Sequence, residues 1–359
     1  MNHSPLTLAV SACDTMMRKF APEKLPPVGQ FHYHQGVFLS GMFQTYLLTG
    51  EEKYFTYVKD WVDSIFGSDG SIHTFDPGKM DDMQPGILLF PLYERTCDLR
   101  YKKALDILSA SMDVYPRCAC RGFWHTWELD NQMWLDGLYM GGPLLAMYGR
   151  AFSRPEYFDE VVYQCMTMKK NTYDAQTGLL YHAWDEGRKA LWSDPKTGCS
   201  HEFWGRSIGW VLIAILDILA YLPENHAGIL PLKHMLSNLL TAIARYQDEV
   251  SGLWYQVVNK GSEADNWLET SCSCLYVAAL ARATRLGIMD QSYLTRARKG
   301  FEGVAARLKW DEEGIRVEGV CIGTGVGDYA HYIHRPTSVN DLHGMGAFLL
   351  MCTAMSIDR

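Results

Sequence analysis

One phrase recurs along this chain and constrains its design more than any other feature. Tyr173-Asp174-Ala175-Gln176-Thr177-Gly178-Leu179-Leu180-Tyr181-His182 returns as Gln247-Asp248-Glu249-Val250-Ser251-Gly252-Leu253-Trp254-Tyr255-Gln256. Fainter copies centre on Gly70, Gly122 and Gly314, so the five glycines lie 52, 56, 74 and 62 residues apart. Spacing of that size fits one helix pair per module. An amphipathic helix precedes each marker: Tyr54, Val58, Trp61, Val62 and Ile65 share one face before Gly70, and Leu232, Leu236, Leu239, Leu240 and Ile243 before Gly252. The helix that follows is apolar nearly all round over Ile208 to Leu219, and small and apolar over Cys272 to Leu280, which demands burial on both sides.

Outer helices are therefore expected to begin near Pro5, Glu51, Arg100, Pro155, Ala227 and Gln291, and inner ones near Gln35, Pro85, Asp136, Gly205, Glu269 and Asn340. Six such pairs close into a ring. Connections from inner to outer helix are short, whereas the return connections are long and carry the glycine markers, so every long loop should emerge at one end. The N-termini of the inner helices, with unpaired amides and positive dipole ends, face the same way. Around Gly141-Gly142-Pro143 two helix starts remain open, at Asp136 with a kink or at Pro143 with Asp136 in the loop.

Polar and aromatic residues crowd the long-loop end: Phe31 to His34, Asp76 to Asp82, Trp124 to Asp136, His182 to Asp185, Glu202 to Trp210, Trp267 to Glu269, and His331 to His343. Nothing comparable is expected at the short-loop end, an asymmetry typical of a rigid scaffold carrying function on its loops. The densest stretch, Phe123 to Pro143, holds Trp124, Trp127, Trp134, His125, Glu128, Asp130 and Asp136. Aromatic faces stack on sugar rings, and an acid among indoles is poorly hydrated, so Asp136 is expected to be protonated near neutral pH. Trp134 and His343 are candidate rim contacts. Ile322 to Asp328 looks like a phosphate-binding glycine loop but lacks the Lys-Ser/Thr ending and a preceding strand. It is read instead as a rim loop needing positive φ.

Composition narrows the function classes. A net charge of −8 without a run of Lys or Arg argues against nucleic acid as partner. No segment approaches the length of a membrane span, and Met1 to Pro5 has neither a basic cluster nor an apolar run, so a cytoplasmic location is expected and no membrane partner. Ten scattered cysteines, with one-residue gaps in Cys118/Cys120 and Cys272/Cys274, suit neither bridges nor common zinc spacings and read as reduced, mostly buried thiols. No cofactor or metal is expected. Nothing sets the oligomeric state, and a monomer is compatible with the sequence.

Several segments together resemble the unsaturated rhamnogalacturonyl hydrolases, glycoside hydrolase family 105: Asp81 to Gly86, Gln132 to Met140, His182 to Glu186, Glu202 to Trp210, and Gly323 to Tyr329. The likeness runs from about Phe31 to Phe348. It implies an all-α fold, an (α/α)6 barrel of six helical hairpins, as a single catalytic domain over residues 1–359 with its site at the long-loop end. It further implies removal of a 4,5-unsaturated uronic acid, the unsaturated galacturonyl group, from rhamnogalacturonan-derived oligosaccharides left by pectin lyases. By motif, Asp136 matches the general acid, while Asp81, His125, His182, Trp204, Arg206 and Trp210 match pocket residues, with Arg206 expected to face the uronate. Trp204 and Trp210 are six residues apart, so one is expected to stack on sugar while the other packs. Phe31 stands where the family pattern leads one to expect Trp, which affects first-loop contacts.

Protonation of such a vinyl ether at C4 leaves an oxocarbenium ion between C5 and the ring oxygen. Water adds at C5, and the hemiketal opens without displacement at C1, so the usual spacing rule for paired carboxylates does not apply. A nearby Asp81 should raise the pKa of Asp136 further. Competing readings are a hydrolase for unsaturated glucuronyl groups, a sugar 2-epimerase using His125 and His182, a non-catalytic sugar-binding ring, and a zinc-dependent prenyl transferase for which no ligand set can be assembled.

Overall fold

The computed structural model describes residues 4–357, and among these thirteen α-helices form the molecule with a few very short strands. The outer helices are α1 (Pro5–Lys19), α3 (Glu52–Ser64), α5 (Leu99–Asp113), α7 (Glu156–Thr172), α9 (Ile229–Arg245) and α11 (Ser292–Ala306). The inner helices are α2 (Tyr33–Thr49), α4 (Leu89–Thr96, entered through the 3-10 turn Gln84–Leu88), α6 (Asp136–Ala151), α8 (Gly205–Tyr221), α10 (Thr270–Arg285) and α13 (Leu342–Ser356). The short α12 (Tyr329–Ile333) lies in the last long connection. Each inner helix packs on its neighbours in order, and α13 closes the circle against α2 while α1 backs it from outside. This is an (α/α)6 barrel with the predicted helix order.

The apolar pattern explains the two layers. α8 is buried from Gly205 to Leu216, and α10 from Thr270 to Ala281, as residues enclosed by helices on both sides must be. α9 buries only Leu232, Met235, Leu236, Leu239, Leu240 and their neighbours on one face. The recurring phrase is one hairpin used twice. In each copy the aspartate carboxylate accepts from the Thr177 or Ser251 amide and hydroxyl, at 2.6 to 2.7 Å. The glycine amide closes the turn on the aspartate carbonyl at 2.8 Å, with φ of 73° at Gly178 and 75° at Gly252. A third copy, Asp194 to Cys199, sits inside a rim loop rather than between modules. At the second marker the left-handed residue is Arg121, φ 67°, not Gly122. Gly122 is required for space, because a Cβ there would lie 2.1 Å from Met133 Sδ.

One open alternative is settled here and two expectations are corrected. α6 begins at Asp136 and carries Pro143 in its interior, which settles the ambiguous start. Gly323, Gly325 and Gly327 do not adopt positive φ, and of the three only Gly327 is crowded, with a Cβ position 2.5 Å from the His331 ring. The short-loop end is not bare either. The C-terminal halves of the inner helices enclose a cavity of about 900 Å3 there, lined by Tyr93, Tyr139, Tyr221, Arg150, Arg282 and Asp217 among others. Helix C-termini carry partial negative charge, which favours arginines at that end. No helix among the described residues is long and apolar enough to cross a membrane.

Candidate active site

The long connections are knitted to one another, and that places the chemistry. β1 (Gln132–Trp134) pairs antiparallel with β2 (Ala183–Asp185), and the Leu135 amide donates to the His182 carbonyl at 3.0 Å. The strand that leads into α6 therefore brings Asp136, the first residue of that helix, against His182. The next loop continues the stitching, with the His182 amide donating to the Glu202 carbonyl and Gly205 to Gln256.

Asp136 Oδ2 lies 3.0 Å from His182 Nε2, and His182 Nδ1 lies 2.7 Å from the Tyr332 hydroxyl. Burial acts to raise the Asp136 pKa, but the His182 hydrogen bond, with the fields of His182, His125 and Arg206, more than offsets it. The net shift is downward, so Asp136 is ionised in the resting site. This corrects the expectation that indoles and a second acid would keep it protonated.

The protonated partner is Asp81. It sits on the 3-10 turn Met80–Asp82 with its nearest basic atoms, His32 Nε2 and His125 Nε2, at 3.7 and 3.9 Å, beyond hydrogen-bond range. Burial, then the charges of Asp136 and Asp82, push its pKa up to about 8. Two carboxyls in one mouth are thus driven apart by environment: one has a hydrogen-bond donor and a helix N-terminus, the other has neither. His125 stacks on Trp134 at 4.4 Å with an interplanar angle of 8°, and burial holds its pKa down to about 4, so it is neutral.

The other predicted residues take different places. Trp134 flanks the mouth, edge-on to His182. Trp204 is buried between His182 and Tyr332, its Nε1 donating to Gln256 Oε1 at 3.1 Å. Trp210 is buried, stacked on Tyr139 at 4.9 Å and 1% exposed. Tyr139 also lines the cavity at the opposite end. Arg206 is 1% exposed, with Nη1 donating to the Cys321 carbonyl at 2.6 Å and Nη2 to that of Ile322 at 2.8 Å. It braces the last long connection, while its charge still acts on Asp136. His343, expected as a rim contact, is fully buried with Nε2 at 2.9 Å from the Cys321 carbonyl. Glu269 is likewise buried, capping α10 through the Cys272 amide. Phe31 stacks on Trp61 in the core, so its difference from the family pattern does not touch the mouth.

Sequence reasoning passed over Tyr33, His32, His34, Tyr332 and Asp341 as site residues. Tyr33 lies within the fields of Asp81, Arg206, Asp136 and Asp341, at the centre of the group. The signal was present as two adjacent polar patterns at inner-helix starts, His32-Tyr33-His34 and Asp341-Leu342-His343.

The Glycosyl Hydrolase Family 88 profile matches residues 8–357. A Clostridium acetobutylicum glycoside hydrolase from family 105 superposes with a TM-score of 0.92 at 32% identity, covering 97% of this chain and 98% of that one. The unsaturated rhamnogalacturonyl hydrolase YesR of Bacillus subtilis is 29% identical over 81% of this chain and 79% of its own length. Protein Atu3128 of Agrobacterium fabrum is 33% identical over 61% of this chain and 98% of its own length. The chain belongs to the glycosyl hydrolase family 88/105 group and is a glycoside hydrolase acting on an unsaturated sugar.

Proposed function

We propose that this hydrolase removes a 4,5-unsaturated galacturonyl group from rhamnogalacturonan-derived oligosaccharides by hydrating the vinyl ether, with Asp136 as the acid and base. The observation that carries the reading is the split of the two carboxyls, one charged against His182 and one raised to about 8. Near neutral pH the pair holds one proton, which rests on Asp81 while the site is open. A bound uronate brings a negative charge and expels water, both of which favour the neutral form of Asp136, so the proton moves to it. The Tyr332 hydroxyl, 2.7 Å from His182 Nδ1, fixes the orientation of the ring that faces Asp136.

Asp136 then gives the proton to C4, and the oxocarbenium ion develops between C5 and the ring oxygen. The Asp136 carboxylate next accepts a proton from the water that adds at C5, which returns the pair to its starting charge. The hemiketal opens and the leaving sugar departs. Trp134 supplies an apolar wall, and Arg206 supplies field rather than a free fork. An epimerase would need two histidines free to exchange protons beside a carbonyl, and His182 is held at both ring nitrogens.

All ten cysteines are unpaired, which suits a reducing compartment and supports a cytoplasmic enzyme acting on imported fragments. The test is a set of unsaturated disaccharides differing in the uronic acid and in the leaving sugar, followed by loss of ultraviolet absorbance. The galacturonyl-rhamnose compound is expected to have the highest kcat/KM. Faster turnover of a glucuronyl compound would move the enzyme to the other substrate class.

A further inference from the structure

Beside the carboxyl pair lies a second cluster that the hydrolysis does not use: His34 at the start of α2, and Asp341 and His343 at the start of α13. Their candidate ligand atoms all lie within 4.8 Å of one another. The outer hydrogen bonds fix which ring nitrogens are bare. His32 Nδ1 accepts from the His34 amide, so in the 2.9 Å contact between the two Nδ1 atoms the proton belongs to His34. His34 Nε2 is then a lone pair, and it faces Asp341 Oδ1 at 3.9 Å. His343 Nε2 must donate to the Cys321 carbonyl, which leaves Nδ1 bare in the neutral ring. That Nδ1 is buried, lies 2.9 Å from Asp341 Oδ1, and forms no hydrogen bond of acceptable geometry.

Two nitrogen lone pairs and a carboxylate oxygen thus point at one place. Three such acceptors repel one another, and Arg206, whose charge acts on His34 and Asp341, donates its hydrogen bonds elsewhere, to the Cys321 and Ile322 carbonyls. A proton on His343 would answer only one of the two imidazoles, and the off-axis contact to Asp341 does not suit it. We propose that His34 Nε2, Asp341 Oδ1 and His343 Nδ1 form a binding site for a divalent transition-metal cation, zinc being the best match. Two imidazoles and one carboxylate are a common zinc set, and three protein ligands leave a position open. His34 and Asp341 keep about a fifth of their side-chain surface exposed, so that position faces the mouth. A sugar hydroxyl or carboxylate is the class of ligand that would fill it. His32 and the Cys321 carbonyl act as the outer partners that set both tautomers.

The other cluster of possible ligands, Cys118, Cys120 and Glu186, is already satisfied, since both Glu186 oxygens accept from the Ala119 and Cys120 amides. The metal site does not depend on the identity of the substrate. The test is zinc titration of the chelator-treated protein by calorimetry, with cobalt as a spectroscopic substitute. One zinc per chain is expected, together with a zinc-dependent rise in Tm. His34→Gln and Asp341→Asn should each weaken zinc at least about a hundredfold, as loss of a direct ligand exceeds loss of an outer partner. His34 is partly exposed in a first turn, so His34→Gln is expected to fold with an unchanged Tm in chelator. Cobalt should give a visible spectrum without a thiolate charge-transfer band. No saturable uptake, wild-type affinity in both variants, or a thiolate band would each overturn the assignment.

Discussion

At the scale of single residues, the division of labour between Asp81 and Asp136 follows from what each one touches. Asp136 has a hydrogen-bond donor at 3.0 Å, whereas Asp81 has none closer than 3.7 Å. The pKa of Asp81 is raised from its unfolded value, so the folded state holds an extra proton between roughly pH 4 and 8. Its contribution to stability is full at acid pH and is lost as pH rises through about 8. Asp81→Asn is therefore expected to raise Tm above pH 8 relative to wild type, to flatten the fall of Tm across that window, and to lower kcat. Melting curves at several pH values check this, and an unchanged slope would show that Asp81 is ionised in the fold. That Asp81 and Asp136 lie close enough to act on one another was legible from motif. Their protonation order was not, because it turns on a hydrogen bond from His182, 46 positions away in sequence. The same limit applied to Trp210 and His343, whose residue types fit a sugar site while their neighbours Tyr139 and Cys321 hold them in the interior.

Between elements, the long connections act as one fabric. Arg206 on α8 holds the carbonyls of Cys321 and Ile322, and Cys321 O also accepts from His343 on α13. A guanidinium buried to 1% exposure joins two inner helices through one strand. Arg206→Ala is expected to cost about 1–3 kcal/mol of stability, since it strips donors from buried carbonyls, and to raise KM through the lost field on the uronate. Thermal unfolding together with substrate titration would check both, and a variant with normal Tm and only a raised KM would make Arg206 a ligand rather than a brace. Helix order and starts were readable because the two apolar patterns, one-sided and all-round, differ plainly along the sequence. The loop structure was readable only where a local turn dictates it, as in the Asp-x-x-Thr/Ser-Gly hairpins. The glycines of Ile322 to Asp328 misled, since none adopts positive φ and close approach accounts for Gly327 alone.

For the molecule as a whole, the ring separates two spaces. The mouth at the inner-helix N-termini gathers carboxyls and histidines, and the cavity of about 900 Å3 at the C-termini gathers arginines and tyrosines. Sequence reading placed the mouth because its polar residues lie in long loops, and missed the cavity because its arginines lie within helix ends, where they look like ordinary solvated charges. In the proposed reaction the attack is at the double bond rather than at C1, with Asp136 as the proton donor. Its most direct test is turnover of an unsaturated galacturonyl disaccharide in heavy water, read by mass spectrometry and ultraviolet absorbance, for wild type and Asp136→Asn. One deuterium on C4, absorbance lost in step with sugar release, and a rate reduced about a thousandfold in the variant are predicted. Sugar released with the double bond intact and no deuterium on carbon, or full activity in Asp136→Asn, would contradict it.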